Sequence, residues 1–273
     1  MSQDVGTCAS NSPTNFAIVT IYVNPTIQLG SKALMNEDSW SGLALVVGVG
    51  GIGNALADTL ARNWPSLEVV RCCRATTNPA EWQVDLECDS SLSVLRDRLS
   101  HQDLPLRLVI NSSGRLHGPD LHPEKRLQQV QRRYLAESFG INAIGPLLLA
   151  RAIEPAIQRS LPFNFASLSA RVGSIADNRS GGWYAYRAAK AAQNQLLRTL
   201  SIEWSRKFPL ATVTLLHPGT TDTALSQPFQ QFVSAESIFT TQRAAEHLLK
   251  VLMCQTPDQS GSFLAWDGQS VPW

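Results

Sequence analysis

The stretch Leu43-Ala44-Leu45-Val46-Val47-Gly48-Val49-Gly50-Gly51-Ile52-Gly53-Asn54-Ala55-Leu56-Ala57 decides the fold. Its first five residues are apolar without alternation, as in a strand buried on both faces. The next six spell G-x-G-x-x-G, and a helix-favouring run follows from Asn54. A strand, a glycine-rich turn and a helix in that order form the context in which the motif binds a dinucleotide. The glycines permit a tight turn and let the backbone approach a pyrophosphate, whose charge then sits at the helix N-terminus.

Working outward, the same alternation recurs. Leu67–Cys72, Leu106–Ile110, Phe163–Leu168 and Val213–Leu216 are further apolar runs of strand length. Asn54–Asn63, Leu92–Leu99, Arg126–Gln158 and Ala185–Arg206 have helical spacing or composition. Strands alternating with helices at this interval make βαβ units, hence an α/β fold: a doubly wound parallel sheet of Rossmann type. The expected organisation is one domain over residues 41–273, preceded by an N-terminal extension over 1–40 that carries no motif. That extension reads as a disordered segment, as a start better placed at Met35, or as an edge strand over Phe16–Val23.

Bulk properties narrow the class. Hydrophobic residues make up 44% of the 273 and charged residues 16%, enough apolar material for a large core. A net charge of +1 gives no electrostatic reason for a nucleic-acid or membrane partner. The longest apolar stretch near the N-terminus, Phe16–Val23, is too short to span a bilayer and lacks a basic start. Five scattered cysteines without metal spacing suit a reducing compartment, so a cytoplasmic protein is expected. His117 and His122 flank a Gly-Pro turn, but no third ligand lies near in sequence, and no metal site is expected.

The second strand ends in Arg71-Cys72-Cys73-Arg74, where an NAD enzyme usually places an acid for the ribose 2′-hydroxyl. An arginine there suits a 2′-phosphate instead, so NADP(H) is expected over NAD(H), with Arg74 the better candidate because it falls just past the strand. Tyr186 and Lys190 stand four apart in Trp183-Tyr184-Ala185-Tyr186-Arg187-Ala188-Ala189-Lys190, on one face of a helix. An ammonium near a phenol favours phenolate and equips the tyrosine to exchange a proton with a carbonyl or alcohol.

With these motifs in order, the chain resembles the short-chain dehydrogenase/reductase family over roughly residues 42–273, and most the C-factor-like and sniffer-type carbonyl reductase branch. Asn111-Ser112-Ser113-Gly114 resembles the family's Asn-Asn-Ala-Gly, which stabilises the sheet and borders the cofactor. Asp85, with Leu86 beside it, resembles the aspartate whose neighbourhood contacts the adenine. Asn142 resembles the asparagine that completes the catalytic tetrad and supports a relay water. Pro218, Gly219, Thr221 and Thr223 fall in a segment similar to the one that orients the nicotinamide carboxamide. Ser169–Ser174, Asp177–Arg179, Gly181–Trp183 and the segment Trp266–Trp273 resemble the branch in particular.

Two departures stand out. The glycine turn (Gly48, Gly50, Gly51, Ile52, Gly53) is one residue shorter than the family's and lacks its phosphate-touching hydroxyl. The position of the family's catalytic serine holds Ala170, and Ser169 beside it is the candidate replacement, aimed by a strand-end bulge. The resemblance implies a reductase of ketones or aldehydes: Tyr186 would protonate the oxygen, Ser169 would hydrogen-bond it, Lys190 would contact the nicotinamide ribose, and Asn142 would hold a water. It also implies a small-molecule substrate and a possible homodimer. The alternative is a cofactor-binding signalling or regulatory protein on the same fold, with little catalysis.

Overall fold

The computed structural model describes residues 40–118 and 121–273. The extension expected over 1–40 lies outside them except for Trp40, as do Phe16–Val23, Met35 and Asp120. Trp40 is buried, and the Arg107 guanidinium stands 5.1 Å over its ring while bonding the carbonyls of Ser41 (3.0 Å) and Pro162 (2.8 Å).

The chain runs through β1 (Gly42–Val47), α1 (Gly51–Asn63), β2 (Leu67–Cys73), β3 (Trp82–Gln83), α2 (Asp89–Ser100) and β4 (Leu106–Asn111). It continues with α3 (Arg132–Phe139), α4 (Gly145–Ile153), β5 (Phe163–Leu168), α5 (Tyr184–Lys207) and β6 (Ala211–His217). The short pair β7 (Thr220–Thr221) and β8 (Ile238–Phe239), then α6 (Thr241–Met253) and β9 (Ser262–Ala265), complete it. Seven strands form one parallel sheet in the order β3-β2-β1-β4-β5-β6-β9. The expected doubly wound sheet is therefore present, with its topological switch between β1 and β4. That is where a crevice opens in such sheets.

Every residue of β1, β4 and β5 is buried because helices cover both faces. Alternation divides them between two cores. Leu43, Leu45 and Val47 face Leu95, Leu149, Leu197 and Trp204 on one side. Ala44 and Val46 face Leu56, Leu60 and Leu248 of α1 and α6 on the other.

The helix expected over Arg126–Gln158 is broken. A 3-10 turn at Leu127–Gln129 precedes α3, a π turn at Gly140–Ile144 separates α3 from α4, and a second 3-10 turn at Glu154–Ala156 ends the run. Pro146 is one cause: it has no N–H for the carbonyl of Asn142, four residues back. π turns are frequent at functional sites, and this one carries Asn142.

Candidate active site

A cleft of about 720 Å³ opens at the switch point, bordered by the turns after β1, β2, β3, β4 and β5, by α5, and by the segment after β6. At its floor the glycine turn is set by close approach. Gly48 has φ +89°, and a Cβ there would lie 2.6 Å from the Ser113 nitrogen. A Cβ on Gly53 would collide with the Gly48 carbonyl, so α1 can begin this close to β1 only on glycine. Gly50 is the N-cap of α1, with nothing within 4 Å of a Cβ added there and no side-chain cap. With Gly51 and Ile52 beside it in the cleft wall, that leaves open space over the helix N-terminus. This is the cradle a pyrophosphate requires, so the shortened turn is compatible with the cofactor.

Past β2 the two arginines differ. The Arg71 guanidinium is 2.5 Å from the Asp58 carboxylate. Arg74 is exposed, borders the cleft and has no ion-pair partner among the described residues; Gln83 Nε2 donates to its carbonyl at 3.1 Å and fixes its backbone. The Asp85 carboxylate accepts the Glu87 N–H at 3.0 Å, and the Asp85 N–H donates to Ser91 Oγ at 2.9 Å. This local turn carries Asp85 and Leu86 along the cleft edge at the start of α2.

The turn after β4 closes the floor. Asn111 is fully buried: Nδ2 donates to Ser167 Oγ at 2.8 Å, and Oδ1 accepts from Ser113 Oγ at 2.5 Å and Ser113 N at 3.2 Å. It thus ties β4 to β5 and shapes the turn in which Ser112, Ser113 and Gly114 meet the cleft. Ser112 Oγ donates to the Gly48 carbonyl, joining this turn to the glycine turn. Asn142, also buried, stands behind Gly114: Oδ1 accepts from Arg115 N at 3.0 Å, while Nδ2 donates to Arg115 O at 2.8 Å and Ser138 Oγ at 3.3 Å.

Helix α5 brings Tyr186 and Lys190 to the far end of the cleft, both buried, with Nζ 5.8 Å from the phenol ring centroid. Trp183 starts the helix from the left-handed region (φ +52°), its N–H bonded to the Glu124 carbonyl at 2.5 Å, and the Glu124 carboxylate accepts from Ala185 N at 3.3 Å. Burial pushes the Tyr186 phenol above its usual range and the Lys190 amine down to about 7. The lowered phenol expected from the lysine charge is thus outweighed by desolvation, and the phenol stays protonated through neutral pH. A protonated phenol beside a cleft is a proton donor.

Ser169 also borders the cleft, but its hydroxyl donates to Asn194 Oδ1 at 2.6 Å. Ala170 continues into a 3-10 turn at Arg171–Gly173, and the Arg171 N–H donates to His217 Nδ1 at 3.3 Å. Pro218 and Thr223 line the cleft, whereas Gly219 (φ +75°) and Thr221, buried in β7, support that wall from behind. Tyr186, Trp183, Phe229 and His117 follow one another as edge-to-face ring pairs at 6.4, 4.8 and 5.9 Å. His117 Nε2 lies 3.0 Å from the Ala224 carbonyl, so it serves this wall; no group of three metal-binding side chains gathers among the described residues. No helix among them is long and apolar enough to cross a membrane.

Gln193, Asn194 and Glu124 were not singled out in the sequence. The first two follow Lys190 by three and four residues, on the face that carries Tyr186, and that spacing was the available signal. Glu124 lies in an irregular segment and gave none.

The family model described as enoyl-(acyl carrier protein) reductase matches residues 48–252. The C-signal protein of Myxococcus xanthus is 35% identical over 139 residues, 51% of this chain and 78% of its own. A 1-hydroxy-2-glutathionyl-2-methyl-3-butene dehydrogenase from a Rhodococcus species is 30% identical over 190 residues, 70% of this chain and 78% of its own. Among solved structures, the NADPH-bound carbonyl reductase from chicken fatty liver superposes with a TM-score of 0.73 at 24% identity, over 85% of this chain and 99% of that one. The carbonyl reductase Sniffer of D. melanogaster gives 0.72 at 21% identity, over 86% and 100%. A parallel sheet with its crevice at the β1/β4 switch, a glycine cradle there, and this extent of sequence match lead to one assignment: the chain belongs to the short-chain dehydrogenase/reductase family of oxidoreductases.

Proposed function

We propose that the protein is an NADP(H)-dependent reductase of a ketone or aldehyde. The observation that carries this reading is the layout of one cleft. An unpaired arginine stands at the end of β2, open backbone over the α1 N-terminus occupies the middle, and a buried Tyr186–Lys190 pair lies at the far end. Gly48, Gly50, Gly51, Ile52 and Gly53 would hold the pyrophosphate, Arg74 the 2′-phosphate, and Asp85 and Leu86 the adenine. Ser113, Gly114, Pro218 and Thr223 would border the rest. The NADPH bound in the chicken carbonyl reductase and the NADP in a Burkholderia multivorans relative support this choice of nucleotide.

A bound nicotinamide supplies the hydride. Tyr186, neutral through physiological pH, gives its proton to the carbonyl oxygen as charge develops there. Lys190 would contact the nicotinamide ribose with its remaining N–H and hold positive charge beside the phenol. Asn142, on its π turn, holds a water from which the proton is replaced. In this structure the Ser169 proton goes to Asn194 Oδ1, so to hydrogen-bond the substrate oxygen Ser169 would have to turn from Asn194 and donate. The test is Tyr186→Phe: NADPH binding should persist within about threefold while turnover falls by about 10²–10⁴. Retained turnover would refute the mechanism.

A second reading, a nucleotide-binding regulatory protein, has one observation in its favour: Ala170 stands at the family's serine position and Ser169's hydroxyl is committed to Asn194. Tight NADPH binding without consumption across an aldehyde, ketone and quinone panel would select it.

A further inference from the structure

The geometry assigns to Gln193 the role of a positioning residue, whose side-chain oxygen holds the Lys190 ammonium on the floor of the cleft and keeps it charged there. Lys190 Nζ donates to Gln193 Oε1 at 2.8 Å and to the Leu168 carbonyl at 2.8 Å. An ammonium has three donors and no acceptor, so the Gln193 atom facing it must be the oxygen, and its amide nitrogen must face the other way. There the nitrogen donates to Ser167 Oγ at 2.6 Å and to Leu168 O at 3.3 Å. Ser167 in turn accepts from Asn111, whose carbonyl oxygen grips Ser113 at the cleft floor. A chain of buried polar groups therefore runs from Lys190 beneath β5 to β4, and Gln193, fully buried, is its first link.

Two of the three ammonium donors point down this chain, which leaves one for the cleft. A buried ammonium survives only where acceptors replace its water, and burial already brings the Lys190 amine to about 7. Leu168 and Gln193 are its acceptors among the described residues. The other groups around it are the Tyr186 ring from its own helix, Leu168 from β5, and Gly114 with Asn142 behind it. The other ionisable side chains sharing the cleft are Arg115 and His117 after β4, and Cys73, Arg74, Asp85 and Glu87 on the β2–β3 side. No carboxylate is within ion-pair distance of Lys190 among the described residues, so the neutral Gln193 oxygen does what an acid would do more strongly.

The role in turnover rests on the proposed reduction; the hydrogen-bond role does not. The experiment is an NMR titration of the full chain with ¹³Cε-labelled lysine, in wild type, Gln193→Leu and Gln193→Glu. One wild-type lysine should titrate near neutral pH. Leucine removes the acceptor and should move that titration down by about one unit. Glutamate keeps the shape and adds charge, and should move it up by about 1–3 units. The Ser167 hydroxyl, which donates to no acceptor among the described residues, can turn to satisfy the carboxylate. The alkaline limb of kcat with NADPH should move in the same two directions, which mere loss of packing would not produce. An unchanged Lys190 titration in both variants overturns the assignment. Opposite titration shifts in a protein that reduces no carbonyl would uphold Gln193 and refute the proposed function instead.

Discussion

Replacing Arg74 with alanine should weaken NADPH binding without weakening NADH binding. Arg74 is exposed, carries no ion pair among the described residues, and projects from a backbone fixed by Gln83 at the end of β2. At 4 Å two unit charges attract by roughly 1 kcal/mol in water and roughly 4 kcal/mol at the effective dielectric of a protein surface. Hydrogen bonds to charged groups measured by substitution give about 1.5–3 kcal/mol, inside that bracket. At about 1.4 kcal/mol per decade, Arg74→Ala should raise the Kd for NADPH about 10- to 100-fold. The Kd for NADH, which has no 2′-phosphate, should stay within about threefold. Arg71→Ala is the internal control: its guanidinium is held by Asp58 at 2.5 Å, so losing it should change either Kd by less than about threefold. Quenching of the protein's tryptophan fluorescence, with seven tryptophans in the sequence, reads both affinities. Raising salt should shrink the Arg74 contribution, because an exposed pair is screened. Equal weakening of both nucleotides, or an Arg71 effect as large as that of Arg74, would refute the reasoning.

Two further outcomes follow from the glycine turn and from β6. Gly53→Ala drives a Cβ into the Gly48 carbonyl and should cost about 3 kcal/mol in a urea melt, whereas Gly50→Ala meets nothing and should melt like wild type while binding nucleotide more weakly. Equal melts for the two would overturn the account of the turn. Burial first, and then the Arg171 charge, hold His217 down to about 4, with Asp267 opposing. A base whose folded value is depressed is stable in its neutral form, so its contribution is complete above about 6.5 and is lost as pH falls through about 4. Wild type should lose about 3 kcal/mol more than His217→Asn between pH 7 and 4, and parallel losses would refute this.

The fold was legible where one local signal sufficed. The apolar runs at Leu43–Val47 and Phe163–Leu168 are strands because every side chain meets a helix layer, and such runs need no alternation to be recognised. β3 has two residues and β9 four, too few for a pattern, and their pairing is decided by neighbours distant in sequence. The break in the helix over Arg126–Gln158 was visible in Pro146 and Pro155, but its placement as a π turn at Asn142 depends on packing against α5 and on the contacts with Arg115. α6 has a face legible in the sequence, Ala244, Ala245, Leu248, Leu249 and Leu252, with Thr240 as its cap. In the site, spacing identified Tyr186 and Lys190. It gave no information on which partner the Ser169 hydroxyl takes, because Asn194 meets it only when α5 docks on β5.

That docking explains why the polar chemistry is tolerable. Residues 186, 190, 193, 194, 197 and 204 lie on the buried face of α5, the stripe that ordinarily carries only apolar residues. In its first half the stripe is Tyr186, Lys190, Gln193 and Asn194. In its second half it is Leu197, Leu200 and Trp204, with Ser201 bonded back to the Arg198 carbonyl at 2.6 Å, and Trp204 packs edge-on against Phe163, Phe165 and Phe208 at 5.9–6.0 Å. Burying four polar side chains on one face costs several kcal/mol unless each finds partners. Lys190, Gln193 and Asn194 do find them, on β5 and on one another, while Tyr186 faces the cleft. The second half fixes the helix against the sheet mainly by ring packing, with Trp204 Nε1 also donating to Glu154 Oε2 at 2.9 Å, and so holds the polar half in register. Trimming Trp204 would therefore loosen the hold on Lys190 from fourteen residues away, although Trp204 touches nothing in the cleft.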